Sequence, residues 1–466
     1  AGMDDLLFGS AVEIARAIRE KQVSCEEVIA AHLARIEAVN PAINAVVYYD
    51  AERALKEARA LDAKMASGEI MGALHGVPVT IKDNIRVAGM PCTTGTLGLK
   101  GFVAPDDATM VARLRGAGAV VLGMTNMPEL GVAFESDNLL YGRSNNPYDL
   151  SRTPGGSSGG EAAIIAAGGS ALGLGNDGAG SVRTPAAFCG IVGLKPNQGR
   201  LPVTGHVTTS YAGFYPGVSQ DGPLARYVED INLVFPIIAG MDWRDPQIVP
   251  MPVGDMNAVD VSGLRVACYT DDGFCAPTPE VAGAVRAAAD WLQAAGASVT
   301  EARPVGVENS YELRVAFYGA VSANGLYEAL EQMGTTEVSE LVKGFMRITA
   351  PYHDISKKEL LALNGRLGAF RANMTAFMEN YDVIVCPTCA VPAVPHGTSQ
   401  EHFEVFSYTM AYNLSGFPAV SVRAGTSPEG LPIGVQVVAR PWREDVALAA
   451  ARVIEQAGGG YVKPRI

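Results

Sequence analysis

The sequence predicts an α/β protein built around a layered sheet. Short apolar runs with strand character alternate with longer segments that open on helix-capping signals, a pattern that lays helices over a sheet. The chain is also rich in core material, with 48% hydrophobic and 18% charged residues over 466 positions. That suffices for one large α/β domain or two to three ordinary ones. One glycine- and serine-dense stretch, residues 153–196, breaks the alternation. It is where chemistry is expected.

Taken in order, Ser10 and Glu13 form a capping box that opens a helix with Ile14, Ala15 and Ile18 on one face. Ser24 and Glu27 repeat the signal, followed by Val28, Ile29, His32, Leu33 and Ile36 on one face. His32 belongs to the surface or core edge of that helix, and Asn40-Pro41 is expected to end it. Residues 51–65 form a third helix. The run 77–81 reads as a buried strand and sets Lys82 at its end, where composition alone favours a solvated lysine. Residues 107–115 are expected to be helical, 119–122 a strand and 123–129 a loop. Within the glycine-rich stretch, 157–167 has helical character, 171–174 and 191–194 are short strands, and Pro185 suits the first turn of a short helix ending at Cys189. A loop over 205–222 carries Tyr211, Phe214 and Tyr215. Further strands are expected at 264–269, 297–301, 381–385, 419–422 and 433–438, and helices at 279–295, 311–330, 356–378 and 444–457. Residues 255–263, polar and weakly patterned, are the best break between halves.

The glycine-rich stretch is too apolar to be a flexible linker, since it encloses the core-like run 162–167. Ser157-Ser158 and Ser181 lie in its glycine-dense turns. No G-x-S-x-G is present. Ser181 follows Gly178-Ala179-Gly180, where little side-chain bulk covers the backbone and consecutive N–H groups can converge on an anion. A serine nucleophile needs a base. No histidine lies near either serine cluster, so Lys82 with a relaying hydroxyl is the economical arrangement.

Composition narrows the alternatives. A net charge of −13 argues against non-specific nucleic-acid binding and against docking on an anionic membrane. Seven cysteines without framework spacing point to a reducing compartment. Cys386-Pro387-Thr388-Cys389 lacks the second pair a zinc site needs, and the six histidines are scattered, so no metal and no cofactor are expected. No secretory signal is evident after Ala1-Gly2-Met3, and a cytoplasmic location is expected.

These motifs resemble those of the amidase signature family. The family carries a G-G-S-S-G-G turn, here Gly155-Gly156-Ser157-Ser158-Gly159-Gly160, and a D-x-G-G-S-[IV]-R-x-P loop, here residues 177–185. It also carries a G-V-P-x-x-[IV]-K strand, here 76–82. The segments 413–419 and 430–436 resemble the family's C-terminal core, and the likeness is weakest between about residues 242 and 382. The resemblance implies a single α/β/α domain over 1–466 with a large mixed central sheet. Within it lie a helical region (3–66), a catalytic core (76–240), a variable substrate-side region (241–380) and the rest of the core (381–466).

The resemblance implies Ser181 as nucleophile, Ser157 as a bridging serine on a cis peptide bond, and Lys82 as base. It makes the amides of Gly178, Ala179, Gly180 and Ser181 the oxyanion hole. Asp177 and Arg183 would support the loop, Ser158 would be structural, and Thr125, Asn126, Phe134 and Tyr141 would line the substrate site; its acyl pocket is expected to draw on 134–142, 211–218 and parts of 305–349. For neutrality at physiological pH, burial against Val79 and Ile81 must pull Lys82 down from about 10.4. Three departures stand out: Ala179 where the family usually has glycine, Asn176 where threonine is common, and Met124 where lysine is usual. The expected activity is hydrolysis of small, aryl or apolar amides, with esters and carbamates in reach and a further resemblance to bacterial urethanases. The expected protein is a monomer or homodimer acting on a small molecule. The alternatives are the glutaminase component of a glutamyl-tRNA amidotransferase, with partner chains, and an inactive amidase-like binding protein.

Overall fold

Thirteen strands are found in the computed structural model, which describes residues 2–207 and 218–466. In chain order they are β1 (Val46–Tyr49), β2 (Pro78–Lys82), β3 (Val120–Thr125), β4 (Asp137–Asn138), β5 (Gly142–Arg143), β6 (Leu172–Asp177) and β7 (Val192–Lys195). They continue as β8 (Gln220–Ala225), β9 (Arg265–Cys268), β10 (Ser298–Glu301), β11 (Val383–Pro387), β12 (Ala419–Thr426) and β13 (Pro432–Ala439). β4 and β5 pair as a small separate ladder. The other eleven form one mixed sheet in the order β1-β3-β2-β6-β8-β7-β12-β13-β11-β9-β10. Its parallel joins are β3-β2-β6 near one end and β11-β9-β10 at the other, with antiparallel pairs between.

Helices cover both faces. Alternate residues of a strand point to opposite sides, and the core divides accordingly. Val383, Val385, Val435 and Val437 join a cluster with the helices Pro279–Ala294 and Glu444–Ala457. Ile384, Cys386 and Val438 join another with Ser310–Phe317, Lys357–Phe377 and Ser407–Ser415.

Several boundaries differ from expectation for local reasons. The second capped helix runs past Pro41 to Ile43; Pro41 can donate nothing back to the preceding turn, and the Asn44 N–H closes the last turn on the Asn40 carbonyl at 2.7 Å. Asn44, left-handed at φ 47, ends it. His32 is fully buried, its Nδ1 against the Val28 carbonyl at 2.7 Å. β3 extends to Thr125 because β2 pairs with it as far as Lys82. β6 reaches Asp177, and β8, whose first three residues fall inside the segment expected as loop, pairs along its whole length. Tyr211, Phe214 and Tyr215 lie outside the described residues. The single helix expected over 311–330 is instead Ser310–Phe317, a π-helical turn Tyr318–Ser322 and Leu326–Gln332. Residues 255–263 form two short 3-10 turns and divide nothing in the sheet, since β7 pairs directly with β12.

Candidate active site

β2 sets the position of the amine. Its two-residue period puts Thr80 and Lys82 on one face and Val79 and Ile81 on the other. All five residues of the strand are buried. The helix Gly159–Ala166 packs against β2 and begins directly after Ser158, which brings the serine turn over the end of the strand. Glycines make the room. A Cβ at Gly175 would stand 2.4 Å from Ser158 Oγ, and one at Gly173 would overlap the Glu161 carboxyl group. The Leu-Gly-Leu-Gly pattern of β6 thus admits two polar side chains against the sheet.

The Lys82 Nζ lies 2.5 Å from Ser157 Oγ, 3.1 Å from Ser158 Oγ and 2.6 Å from Asn176 Oδ1. The Gly156–Ser157 peptide bond is cis. Burial pulls Lys82 down to about 7, against the opposing pull of the Asp221, Asp177 and Glu161 carboxyl groups. The positive end of the helix that starts at Gly159 further disfavours an ammonium there. Glu161 lies beneath, bonded by the Thr80 hydroxyl and, at 2.7 Å, by Thr125. Burial raises its carboxyl to about 8 despite those two bonds.

The loop after β6 is held from three directions. The Asp177 carboxylate accepts the N–H of Gly180 at 2.7 Å, of Val182 at 3.2 Å and of Arg183 at 3.3 Å. It pairs with the buried Arg183 guanidinium at 2.9 Å and accepts from Asn413 at 2.9 Å. Burial alone would raise this carboxyl, but Arg183 and Asn413 hold it well below the usual range. Arg183 is fixed in turn by Gln436 at 2.5 Å and by the Thr409 carbonyl at 3.0 Å. Two carbonyls of the loop are also gripped. Arg314 Nε donates to Gly178 O at 2.9 Å, and the Thr409 hydroxyl donates to Ala179 O at 2.5 Å. In a trans peptide the N–H points away from the C=O, so the Arg314 contact aims the Ala179 N–H to the opposite side. Gly180, at φ 128, completes the turn in a conformation that excludes a Cβ, which would meet Thr409 Oγ1 at 2.3 Å.

Of the four amides expected as an oxyanion hole, that of Gly180 is committed to Asp177. The N–H groups of Gly178, Ala179 and Ser181 donate to no side chain or loop carbonyl among the described residues. Ser181 is 8% exposed, whereas Lys82 is wholly covered. The Ser181 carbonyl accepts the Ser158 N–H at 3.1 Å, which ties the two serine turns together. Its Oγ makes no hydrogen bond with a described residue, so Lys82 and Ser157 are linked directly and Ser181 adjoins them through the backbone.

The residues expected to line a substrate site separate. Phe134 stacks on Phe406 at 4.2 Å in an apolar cluster that includes Ala179, Phe188, Phe403 and Met410. Tyr141 is half-buried, and burial, with Asp83 nearby, raises its hydroxyl above the usual value. Thr125 and Asn126 are fully buried and turned inward. Thr125 bonds Glu161, and Asn126 donates to Ser144 and Gly142 and accepts from Asn138. Met124 is core. Sequence reasoning did not assign roles to Arg314, Thr409, Asn413 or Gln436. Asn413 and Gln436 lie in segments recognisable as family-like, but nothing local says which loop they reach. Among the described residues no group of three or more His, Cys, Asp or Glu could hold a metal ion. No helix among them is long and apolar enough to cross a membrane.

Comparison with known proteins agrees with this architecture. The family model described as amidase matches residues 27–448. An acylamidase of Rhodococcus erythropolis is 37% identical over 96% of this chain and 94% of its own. A glutamyl-tRNA(Gln) amidotransferase component of Acidothermus cellulolyticus is 36% identical over 96% and 95%. Among solved structures, 6-aminohexanoate cyclic dimer hydrolase in complex with substrate superposes with a TM-score of 0.87 at 30% identity, covering 98% of this chain and 99% of that one. The chain belongs to the amidase family, the amidase-signature hydrolases of carbon–nitrogen bonds.

Proposed function

We propose that the chain hydrolyses small amides with an apolar or aryl acyl group through a covalent acyl-enzyme on Ser181. The observation that carries this reading is the buried Lys82 amine, 2.5 Å from Ser157 Oγ, beside the loop that holds Ser181. A neutral Lys82 accepts the Ser157 proton while Ser157 accepts that of Ser181. Ser181 Oγ then forms its bond to the substrate carbonyl carbon, and the carbonyl π electrons move to oxygen. The oxyanion is met by the N–H groups of Gly178, Ala179 and Ser181, three donors rather than four. The relay reverses as the C–N bond breaks: Lys82 returns a proton through Ser157 to the leaving nitrogen. Water, activated by the same relay, releases the acid. The Ser157–Ser181 hydrogen bond closes when substrate binds, as catalytic hydrogen bonds often tighten in the bound complex.

The aromatic cluster around Phe134 and Phe406 beside Ala179 supports an apolar acyl group. The likeness to an acylamidase supports an acyl amide as the substrate class. Esters and carbamates present the same carbonyl to the same nucleophile and belong to the proposed range. Asp177 and Arg183 act through the loop, without touching the breaking bond. Purified chain, assayed without partners on anilides of apolar acids and on glutamine, is expected to turn over the anilides. Ser181→Ala is expected to lower kcat by about 10³-fold or more with its Tm unchanged. Turnover of glutamine alone, or near-normal activity of Ser181→Ala, would overturn the reading.

A further inference from the structure

The Lys82 amine has three neighbours, and counting protons among them assigns each a role. A neutral amine has two N–H groups and one lone pair. Asn176 Oδ1, 2.6 Å away, can only accept, because the amide's Nδ2 donates to Asn84 Oδ1 at 3.0 Å. The Ser158 hydroxyl donates to the Asn176 carbonyl at 3.4 Å, so its oxygen accepts from Lys82 at 3.1 Å. Both N–H groups are then used, and the lone pair is left for the Ser157 hydroxyl at 2.5 Å.

We infer that Asn176 is a positioning residue which, held by Asn84, takes one N–H of Lys82 and so turns the amine's lone pair onto Ser157. The inference rests on the acyl-transfer reading above and adds a feature of this chain, since the family commonly has threonine at this position. The charge setting makes a neutral acceptor necessary. Asp221, itself paired with His206, faces Lys82 from β8, and Asp177, paired with Arg183, faces it from β6. Glu161 faces it from the helix. A further carboxylate in direct contact would hold the amine as an ammonium with no lone pair to offer.

The test is the rate at which an alkyl fluorophosphonate modifies Ser181 in the full chain, followed by intact mass and peptide mapping from about pH 5 to about pH 10. Wild type is expected to show a rate that rises as Lys82 loses its proton. Asn176→Asp should move that limb upward by about one pH unit or more, which makes labelling about tenfold slower near pH 7 and nearly equal at the alkaline end. Asn176→Ala should slow labelling about tenfold without raising the limb. Should Asn176→Asp fail to fold, Asn84→Ala frees the amide to flip and donate into the lone pair, and labelling should slow at every pH. An unshifted limb in Asn176→Asp, or wild-type rates in Asn176→Ala or Asn84→Ala, would overturn the role of Asn176 alone. Wild type unmodified at Ser181 would overturn the acyl-transfer reading and this inference with it.

Discussion

In the proposed mechanism Lys82 is the residue at which stability and activity pull in opposite directions. In the fold its amine sits near 7, lowered first by burial, whereas in the unfolded chain it titrates near about 10.4. Below pH 7 the fold must bury an ammonium, a penalty on the order of 4 kcal/mol for a difference of this size. Between about 7 and 10.4 the unfolded chain binds the extra proton, so the Lys82 contribution to stability rises with pH across that window. Lys82→Met should therefore abolish turnover yet be more stable than wild type at pH 6, and its advantage should shrink as pH rises through the window. Thermal unfolding of both proteins at several pH values checks this. A Lys82→Met protein that is less stable than wild type at pH 6, or that still turns substrate over, would contradict it. The sequence alone left this lysine open. A lysine ending an apolar strand is most often solvated, and only the motif around it pointed the other way. What local sequence lacked was the lid: Ser157, Ser158 and Asn176 come from two later segments.

At the scale of elements, the loop after β6 depends on a helix that no catalytic motif flags. Arg314, 3% exposed, has no ion-pair partner among the described residues, and its guanidinium stacks on Tyr318 at 3.5 Å. Its Nε bond to Gly178 O aims the Ala179 N–H. A charge-assisted bond to that carbonyl also polarises the same peptide unit. Arg314→Met is expected to lower kcat by about tenfold or more with little change in KM, and to weaken binding of an aryl boronic acid, which mimics the tetrahedral adduct, by a similar factor. Arg314→Lys should recover part of the loss. Equal losses in KM and kcat, with boronate affinity intact, would make Arg314 merely structural. The motifs named both ends of this loop, Asp177 and Arg183, but not its outer clamps. Arg314 lies in the region of weakest family likeness, and the π-helical turn that carries Tyr318 reads locally as plain helix. Where helices open on Ser-x-x-Glu, as at Ser10, Ser24 and Ser356, the sequence placed their starts correctly, because the cap is a local signal.

Over the whole molecule, the order of strands explains why the site cannot be assigned to one segment. β12 and β13, from the last fifty residues, lie in the middle of the sheet beside β7, and Gln436 on β13 holds Arg183. A fragment ending at residue 260 would expose the β7 edge and strip Arg183 and Asp177 of Gln436 and Asn413. Such a fragment is expected to show no cooperative unfolding transition, and a fragment that melts cooperatively like the full chain would contradict this. Alternating apolar runs foretold a layered α/β sheet, and the family resemblance foretold helices on both of its faces. They could not foretell the order, because pairing between β7 and β12 spans more than two hundred residues and leaves no local mark.

The proposed reaction stands on an acyl group carried by Ser181. Turnover of an anilide of an apolar acid, quenched in acid within the first cycles and mapped by peptide mass, tests it most directly. An acyl adduct is expected on the peptide bearing Ser181, absent in Ser181→Ala and strongly diminished in Lys82→Met. An adduct on Ser157 or Ser158 instead, or turnover with no adduct on any serine under conditions that trap the intermediate, would contradict it.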